Sequence, residues 1–183
     1  MQKLSRNSWI EAGFKALDKS GYTGLSAEKI ARGLRVTRGS FYHHFDSRAD
    51  FEDALLQRWC NDYTDAVIAH ARGGRGAKER LERYLEVTTR LQPGREVAIR
   101  AWAAKDLRVN EVLKKVDASR IRFVQELGRE LLPLSSDDEI SRFARVVYMA
   151  FVGFQQTGPH GSEQFIQLVQ DVLGATGVYP QDR

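Results

Sequence analysis

Apolar residues recur every three or four positions along most of this chain, which is the spacing of amphipathic α-helices. In the first such stretch, Ile10, Phe14 and Leu17 fall on one face, and Gly21 is a natural place for the helix to end. No stretch alternates apolar and polar residues as a half-buried strand does. The pattern therefore predicts an all-α fold of about nine helices.

Capping residues indicate where several of these helices begin. Ser26, Thr37 and Ser47 each precede an apolar periodic stretch, as expected of N-terminal caps. Ser136, with Glu139 three residues later, has the form of a capping box. Glycine- and proline-containing turns separate further helices, which are predicted at about residues 77–91, 95–106, 110–132 and from residue 162 onward.

The composition is that of an ordinary globular protein. Of its 183 residues, 42% are apolar and 28% charged, and a chain of this length can bury a sizeable core. The longest uncharged apolar stretch, residues 146–154, is far shorter than the roughly 20 residues of a membrane-spanning helix. The N-terminus has no apolar segment typical of a secretion signal, and Cys60 is the only cysteine. We therefore expect a cytoplasmic protein with no membrane partner.

The positive charge is concentrated near the N-terminus. Residues 1–50 contain nine Lys and Arg residues against five Asp and Glu residues, which equals the whole net charge of +4. The rest of the chain is neutral in sum. This asymmetry suggests a module that faces a polyanion, joined to a neutral one.

Residues 35–45, RVTRGSFYHHF, concentrate unusual chemistry, and a metal site, a core patch and a polyanion-binding surface are all open interpretations. On a helical wheel of about 100° per residue, Phe41 and Phe45 fall together and face the interior. His43 and His44 project about 100° apart, so they are poorly placed to bind one metal ion, and we predict no metal site. Gly39 costs a helix about 1 kcal/mol relative to alanine, which favours a surface that something bulky approaches closely.

Two short helices joined by a tight turn are typical of a helix-turn-helix, whose second helix enters the DNA major groove. The hydroxyl groups of Thr37, Ser40 and Tyr42 can bind phosphates, and Arg38 can reach guanine O6 and N7. A helical hairpin with a merely solvated polar face is the alternative that this pattern leaves open.

Three segments of the sequence then resemble the N-terminal domain of the TetR family of bacterial transcription regulators: GYTGLSAEKIA at 21–31, VTRGSFYHHF at 36–45, and the basic Arg48. The resemblance implies a helix-turn-helix DNA-binding domain at residues 1–47 and a helical ligand-binding and dimerisation domain at 48–183. It also implies that DNA is contacted by Thr37, Arg38, Gly39, Ser40, Tyr42, His43 and His44, with Lys29 and Arg48 on phosphates. Arg35 departs from the glycine usual in the family's turn. We hypothesise that a phosphate contact by Arg35 offsets the cost of a positive φ there.

The resemblance further implies a homodimer formed by the last two helices, with a palindromic DNA operator and a small-molecule effector bound in the helical bundle. The expected dimer residues are Phe143, Val147, Phe151, Phe154, Phe165, Leu168, Val169 and Val172, although internal core is the competing interpretation of their broad apolar faces. The expected effector contacts are Trp59, Tyr63, Trp102, Phe123, Tyr148 and Phe151, again with core packing as the alternative.

The leading hypothesis is a ligand-released, homodimeric repressor. An activator of the same fold and a helical protein-interaction module without DNA binding are the alternatives. The chain contains no G-x-S-x-G, P-loop or HExxH motif. We therefore predict neither an enzyme nor a cofactor.

Overall fold

A computed structural model describes residues 4–157 and 161–175, in which ten α-helices and no strands are found. The helices are α1 Arg6–Ser20, α2 Ala27–Gly33, α3 Arg38–Tyr42, α4 Arg48–Cys60, α5 Ala66–Arg72, α6 Ala77–Thr88, α7 Pro93–Ala103, α8 Leu107–Leu131, α9 Asp137–Gln156 and α10 Ser162–Ala175. A short 3₁₀ turn, Tyr22–Gly24, precedes α2, and a π-helical turn, Asn61–Asp65, joins α4 to α5 without a break. Counting that continuous stretch once gives nine, so the predicted all-α fold is confirmed.

The helix ends agree with the predicted caps, with one difference. The side chains of Ser26 and Ser47 accept hydrogen bonds from the backbone amides of Lys29 and Asp50, at 3.4 and 3.1 Å. The capping box at the start of α9 is also formed. Thr37 occupies the N-cap position of α3, but its side chain makes no capping hydrogen bond. That hydroxyl group is therefore not used to start the helix.

The chain divides into two compact units. One contains the chain up to Cys60 together with Gly94–Leu113, and the other contains Asn61–Pro93 together with the chain from Lys114 onward. These units are defined by packing, whereas the predicted boundary between residues 47 and 48 concerns function and stays a prediction.

An aromatic cluster fills the core of the first unit. Phe41, at the end of α3, packs edge-on against Trp9 of α1 and Phe51 of α4, with both pairs of ring centroids 5.5 Å apart. The ring centroids of Phe45 and Phe51 are 5.0 Å apart. A Cβ atom at Gly13 would lie only 2.6 Å from the Phe51 ring, so this glycine allows α1 and α4 to approach closely. The cluster fixes the short α3 against α1 and α4.

The second unit contains a cluster of apolar contacts between α5, α6 and the C-terminal half of α8, centred on Ile68, Phe123 and Leu127. Beside it, the buried Arg120 donates to the Thr64 hydroxyl at 3.0 Å and to the Tyr63 carbonyl at 3.3 Å. The guanidinium group thus binds groups of the π-helical turn. No helix in the described part of the chain is long and apolar enough to cross a membrane.

Candidate nucleic-acid interface and cavity

The packing of α2 and α3 decides which side of the helix-turn-helix faces solvent. Ile30 and Ala31 of α2 are buried, and the Ala31 carbonyl accepts a hydrogen bond from the Val36 amide at 3.0 Å. Phe41 and Phe45 are each only 1% exposed, as the helical wheel predicts. Since these side chains hold one side of α3 in the core, its opposite side is presented to solvent.

Most of the predicted DNA-binding residues, on α3 and on the segments around it, are exposed to solvent. Ser40 and His44 are half-buried, and the others are exposed: Lys29, Arg35, Thr37, Arg38, Gly39, Tyr42, His43 and Arg48. In the part of the chain that the structure describes, no three His, Cys, Asp or Glu residues are grouped as a metal ion would require. The surface is therefore built of cations, hydroxyl groups and imidazoles beside an aromatic core.

Arg38 and Tyr42 form a pair on the outer face of α3. The Arg38 Nη2 atom donates to the Tyr42 hydroxyl oxygen at 3.2 Å, and its guanidinium carbon lies 5.8 Å from the centre of the Tyr42 ring. The hydrogen bond to Tyr42 is the main cause of a raised pKa for Arg38, which stays positively charged. Tyr42 is 50% exposed, so the pair presents a charge and an aromatic ring together.

Gly39 has no steric reason within the chain to be a glycine. A Cβ atom at this position would meet only the Thr37 hydroxyl oxygen, at an unstrained 3.7 Å. Its φ is not in the left-handed region either. Because glycine costs a helix about 1 kcal/mol relative to alanine, any benefit of Gly39 has to come from outside the chain.

Arg35 lies in the turn with a φ of 57°, the one positive φ at a non-glycine residue in the described ranges. An L-residue in this left-handed region costs roughly 1–2 kcal/mol, because its Cβ atom crowds the following carbonyl oxygen. The Arg35 amide donates to the Arg32 carbonyl at 3.1 Å, which closes the turn. The backbone at Arg35 thus has the positive φ that our hypothesis of a compensating phosphate contact requires.

The two residues predicted to flank the recognition surface also have partners in the chain. Arg48 donates from Nε to Glu52 at 2.7 Å, and the same buried carboxylate accepts from Arg108 at 2.7 Å. The Arg48 side chain remains 59% exposed, so an anion can still reach it. Lys29 donates to the Thr23 carbonyl at 3.4 Å.

An apolar cavity lies in the second unit, between α6, the C-terminal half of α8, α9 and α10. The cavity has a volume of ≈ 80 Å³. Three of the predicted effector contacts line it, namely Phe123, Tyr148 and Phe151. Trp59 and Trp102 instead lie in the core of the first unit, and Tyr63 is buried in the second unit without lining the cavity.

Most of the residues predicted to form a dimer interface also line this cavity. Seven of the eight line it: Phe143, Val147, Phe151, Phe165, Leu168, Val169 and Val172. Phe154 packs against Phe165, with ring centroids 6.0 Å apart. These side chains therefore contact one another within the chain, in keeping with the core alternative.

A different set of apolar residues is exposed on the last two helices. On α9, Val146 is 56% and Met149 58% exposed, and Ile166 is exposed on α10. Gly153 follows Met149 by four residues and so lies on the same side of α9. A Cβ atom there would meet nothing within 4 Å. Sequence reasoning missed this outer face, which residues 146, 149 and 153 form at helical spacing.

Known proteins contain sequences similar to the helix-turn-helix segment. Residues 10–55, which include α2, α3 and the turn between them, match the family described as bacterial regulatory proteins, tetR family. Over these residues the chain is of the tetR family. Its similarity to the transcriptional regulator AcuR of Cereibacter sphaeroides is 39% identity over 56 residues, 31% of this chain and 26% of AcuR. Such a match spans about a quarter of that relative's length.

Other transcription regulators match over longer stretches at lower identity. The transcriptional repressor NemR of Escherichia coli K12 is 27% identical over 85 residues, which cover 46% of this chain and 43% of NemR. The regulator BetI of Rhizobium meliloti is 22% identical over 100% of this chain and 97% of its own. The crystal structure of reduced E. coli NemR superimposes with a TM-score of 0.74 at 17% identity, covering 97% of this chain and 99% of that one. At this identity the structural likeness shows the fold.

Proposed function

We propose that this chain is a transcription regulator that binds double-stranded DNA as a homodimer, and that it acts as a repressor released by a small apolar molecule. The proposal rests on the solvent-facing side of α3. It presents Arg38, Tyr42 and His43 beside a glycine that the chain's own packing does not require. Repression is favoured over activation because the relative NemR is named as a repressor.

In the proposed complex α3 enters the major groove. Arg38 reads guanine through O6 and N7, and the absence of a side chain at Gly39 lets the DNA backbone approach closely. The Thr37 hydroxyl, which caps no helix, and the cations Lys29 and Arg48 bind phosphates that set the register. In a two-fold dimer, the two recognition helices would meet half-sites about 34 Å apart, which requires a palindromic operator.

The test of DNA binding is selection of bound duplexes from a random library, followed by fluorescence anisotropy at several salt concentrations. Arg38→Ala should weaken binding to the selected site by about tenfold or more, since a bidentate guanine contact discriminates by ~1–3 kcal/mol. Arg75→Ala is the matched control, because it removes the same charge from a side chain that is 95% exposed in the second unit. No enriched palindrome, or equal losses in the two variants, would favour an interaction module instead.

For the dimer we propose the outer face of α9 and α10, formed by Val146, Met149, Gly153 and Ile166, with a second copy as its occupant. The missing side chain at Gly153 would let two α9 helices come close, as small residues do where helices pack. A two-fold axis would place the same patch on both protomers. The residues around the cavity would then support this face from behind.

Val146→Glu tests the dimer proposal, because a charge at the centre of an apolar interface opposes association. We expect light scattering to report a dimer for the wild type and a monomer for this variant at micromolar concentration. Leu134→Glu is the matched control: Leu134 is 100% exposed and lies outside α9 and α10. A wild-type monomer, or a dimer that survives Val146→Glu, would refute this face.

The cavity is the proposed effector site. Its lining is almost wholly aliphatic and aromatic, and Tyr84 and Tyr148 are its two residues with a hydroxyl group. This lining favours an uncharged apolar effector over an anion or a sugar. To act as an inducer, the effector has to bind more tightly to the DNA-free conformation, and DNA then weakens effector binding by the same factor.

A further inference from the structure

Arg6, the first residue of α1, contacts the chain just beyond α3. Its Nη1 atom donates to the His44 carbonyl at 3.1 Å, and its Nη2 atom donates to Asp50 Oδ1 at 2.9 Å. The guanidinium carbon lies 4.5 Å from the centre of the Phe45 ring. One planar cation therefore binds a carbonyl, a carboxylate and an aromatic face at the same time.

Asp50 extends this arrangement to the segment between α3 and α4. Its second oxygen, Oδ2, accepts a hydrogen bond from the Asp46 amide at 3.0 Å. The amides of His44 and Phe45 both donate to the Phe41 carbonyl, at 2.9 and 3.1 Å. The end of α3 and the chain that follows it are thus tied to α1 through Arg6 and to α4 through Asp50.

We propose that Arg6 is a positioning residue for DNA recognition: with Asp50 it forms a clamp that fixes the end of α3, and it does not act chiefly as a phosphate ligand. This inference rests on the proposed DNA binding. The clamp is built from Arg6, Asp50, the His44 carbonyl and the Phe45 ring. Since α3 is only five residues long, its direction depends on how its ends are held, and His43 and His44 lie at the held end.

Two substitutions separate positioning from phosphate binding. Arg6→Lys keeps the charge but loses the planar fork and the stacking on Phe45. A phosphate ligand would tolerate this change, whereas the clamp predicts a loss of about three- to tenfold in affinity for the selected duplex. Asp50→Asn removes a negative charge close to the DNA-binding surface. Electrostatics alone would then tighten binding, whereas loss of the clamp weakens it.

Asp46→Asn is the matched control for Asp50→Asn, because Asp46 is a nearby exposed carboxylate, between α3 and α4, whose side chain is not part of the clamp. We expect Asp46→Asn to bind DNA as tightly as the wild type or more tightly. Lys15→Ala, at an exposed position of α1, is the control for removing a cation from that helix. Circular dichroism and thermal unfolding verify that each variant is folded.

Hydrogen exchange provides a readout that does not depend on DNA. The clamp predicts faster exchange of the His44 and Phe45 amides in Arg6→Lys and Asp50→Asn, with the core amides of α1 unchanged. Unchanged exchange, together with wild-type DNA affinity in Arg6→Lys or tighter binding in Asp50→Asn, would overturn the proposal. If the wild type selects no duplex at all, the DNA-binding proposal fails, and the exchange rates still decide whether the clamp exists.

Discussion

Replacing Arg35 with glycine should make the protein more stable and, at the same time, weaken its hold on DNA. Arg35 has a φ of 57°, where an L-residue costs roughly 1–2 kcal/mol and glycine costs little. Glycine also gives the unfolded chain more freedom, which costs about 0.4–1 kcal/mol on folding. The difference is a net stabilisation of about 0.5–1 kcal/mol.

Arg35→Ala separates the backbone effect from the charge. Alanine keeps the Cβ atom and therefore the strain, but it lacks the guanidinium group, as glycine does. We expect Arg35→Ala to be about as stable as the wild type and Arg35→Gly to be more stable. In DNA binding the two variants should behave alike, because each would lose one phosphate contact and reduce the salt slope by about 0.9.

Tryptophan fluorescence is a suitable probe of this effect. The three tryptophans, Trp9, Trp59 and Trp102, are all buried in the same unit as Arg35. Urea unfolding at a fixed protein concentration, followed by this signal, therefore reports the stability of the unit that contains the turn. Anisotropy on the selected duplex gives the salt slope.

Two results would refute the reasoning about Arg35. If Arg35→Gly is no more stable than Arg35→Ala, the backbone at this position is not strained. If Arg35→Gly binds DNA as tightly as the wild type, with the same salt slope, the guanidinium group makes no phosphate contact, and the departure from glycine would have no role in binding.

Three further predictions concern the second unit. Tyr148→Phe removes the 2.6 Å hydrogen bond from the tyrosine hydroxyl to Asp117 and should cost about 1–2 kcal/mol in urea unfolding followed by circular dichroism; an unchanged midpoint would show that the bond contributes nothing. The neutral probe N-phenyl-1-naphthylamine should fluoresce more strongly with the wild type, and Val169→Trp should fill the cavity and abolish that increase; an undiminished signal would place the probe elsewhere. The hydrogen bond from the Ser136 amide is the main cause of a lowered pKa for Glu139, so this carboxylate stabilises the fold above about pH 4.5 and its contribution is lost as the pH falls through the lowered pKa. Glu139→Gln should therefore be less stable than the wild type at pH 7 but not in acid, and a pH-independent difference would contradict this.

Much of the helical framework follows from local sequence signals. The caps at Ser26, Ser47 and Ser136 and the helix end at Gly21 are where the side chains and glycine predicted them. The burial of Phe41 and Phe45 follows from their four-residue spacing. These features depend on residues close together in the chain, which a sequence shows directly.

Local sequence signals could not predict which side of α9 is buried. Residues 146–152 are all apolar, so every side of the helix there looks hydrophobic and the period gives no preferred face. Only packing against α8 and α10 turns Val147 and Phe151 toward the cavity and leaves Val146 and Met149 outside. The sequence also cannot show whether Trp59 and Trp102 contact an effector or belong to a core, because large aromatic side chains suit both environments.

The π-helical turn and the Arg6 clamp had no local signal. Arg6 and Asp50 are 44 positions apart, and Arg120 and Thr64 are 56 apart. Such contacts are specified by the tertiary fold, and a single sequence contains no periodicity that would pair them.

The helical glycines are also a guide for anyone who wishes to engineer a more heat-resistant version of this protein. Gly13 has to stay, because a Cβ atom there would clash with the Phe51 ring at 2.6 Å, and at Gly128 a Cβ atom would crowd the Phe143 ring at 3.0 Å. Gly39 and Gly153 could each become alanine without a clash within the chain, and each change would strengthen a helix by about 1 kcal/mol. They lie on the surfaces proposed for DNA and for the second copy. At these two positions a stabilising substitution would thus harm regulation, and thermostability would be gained at the expense of function.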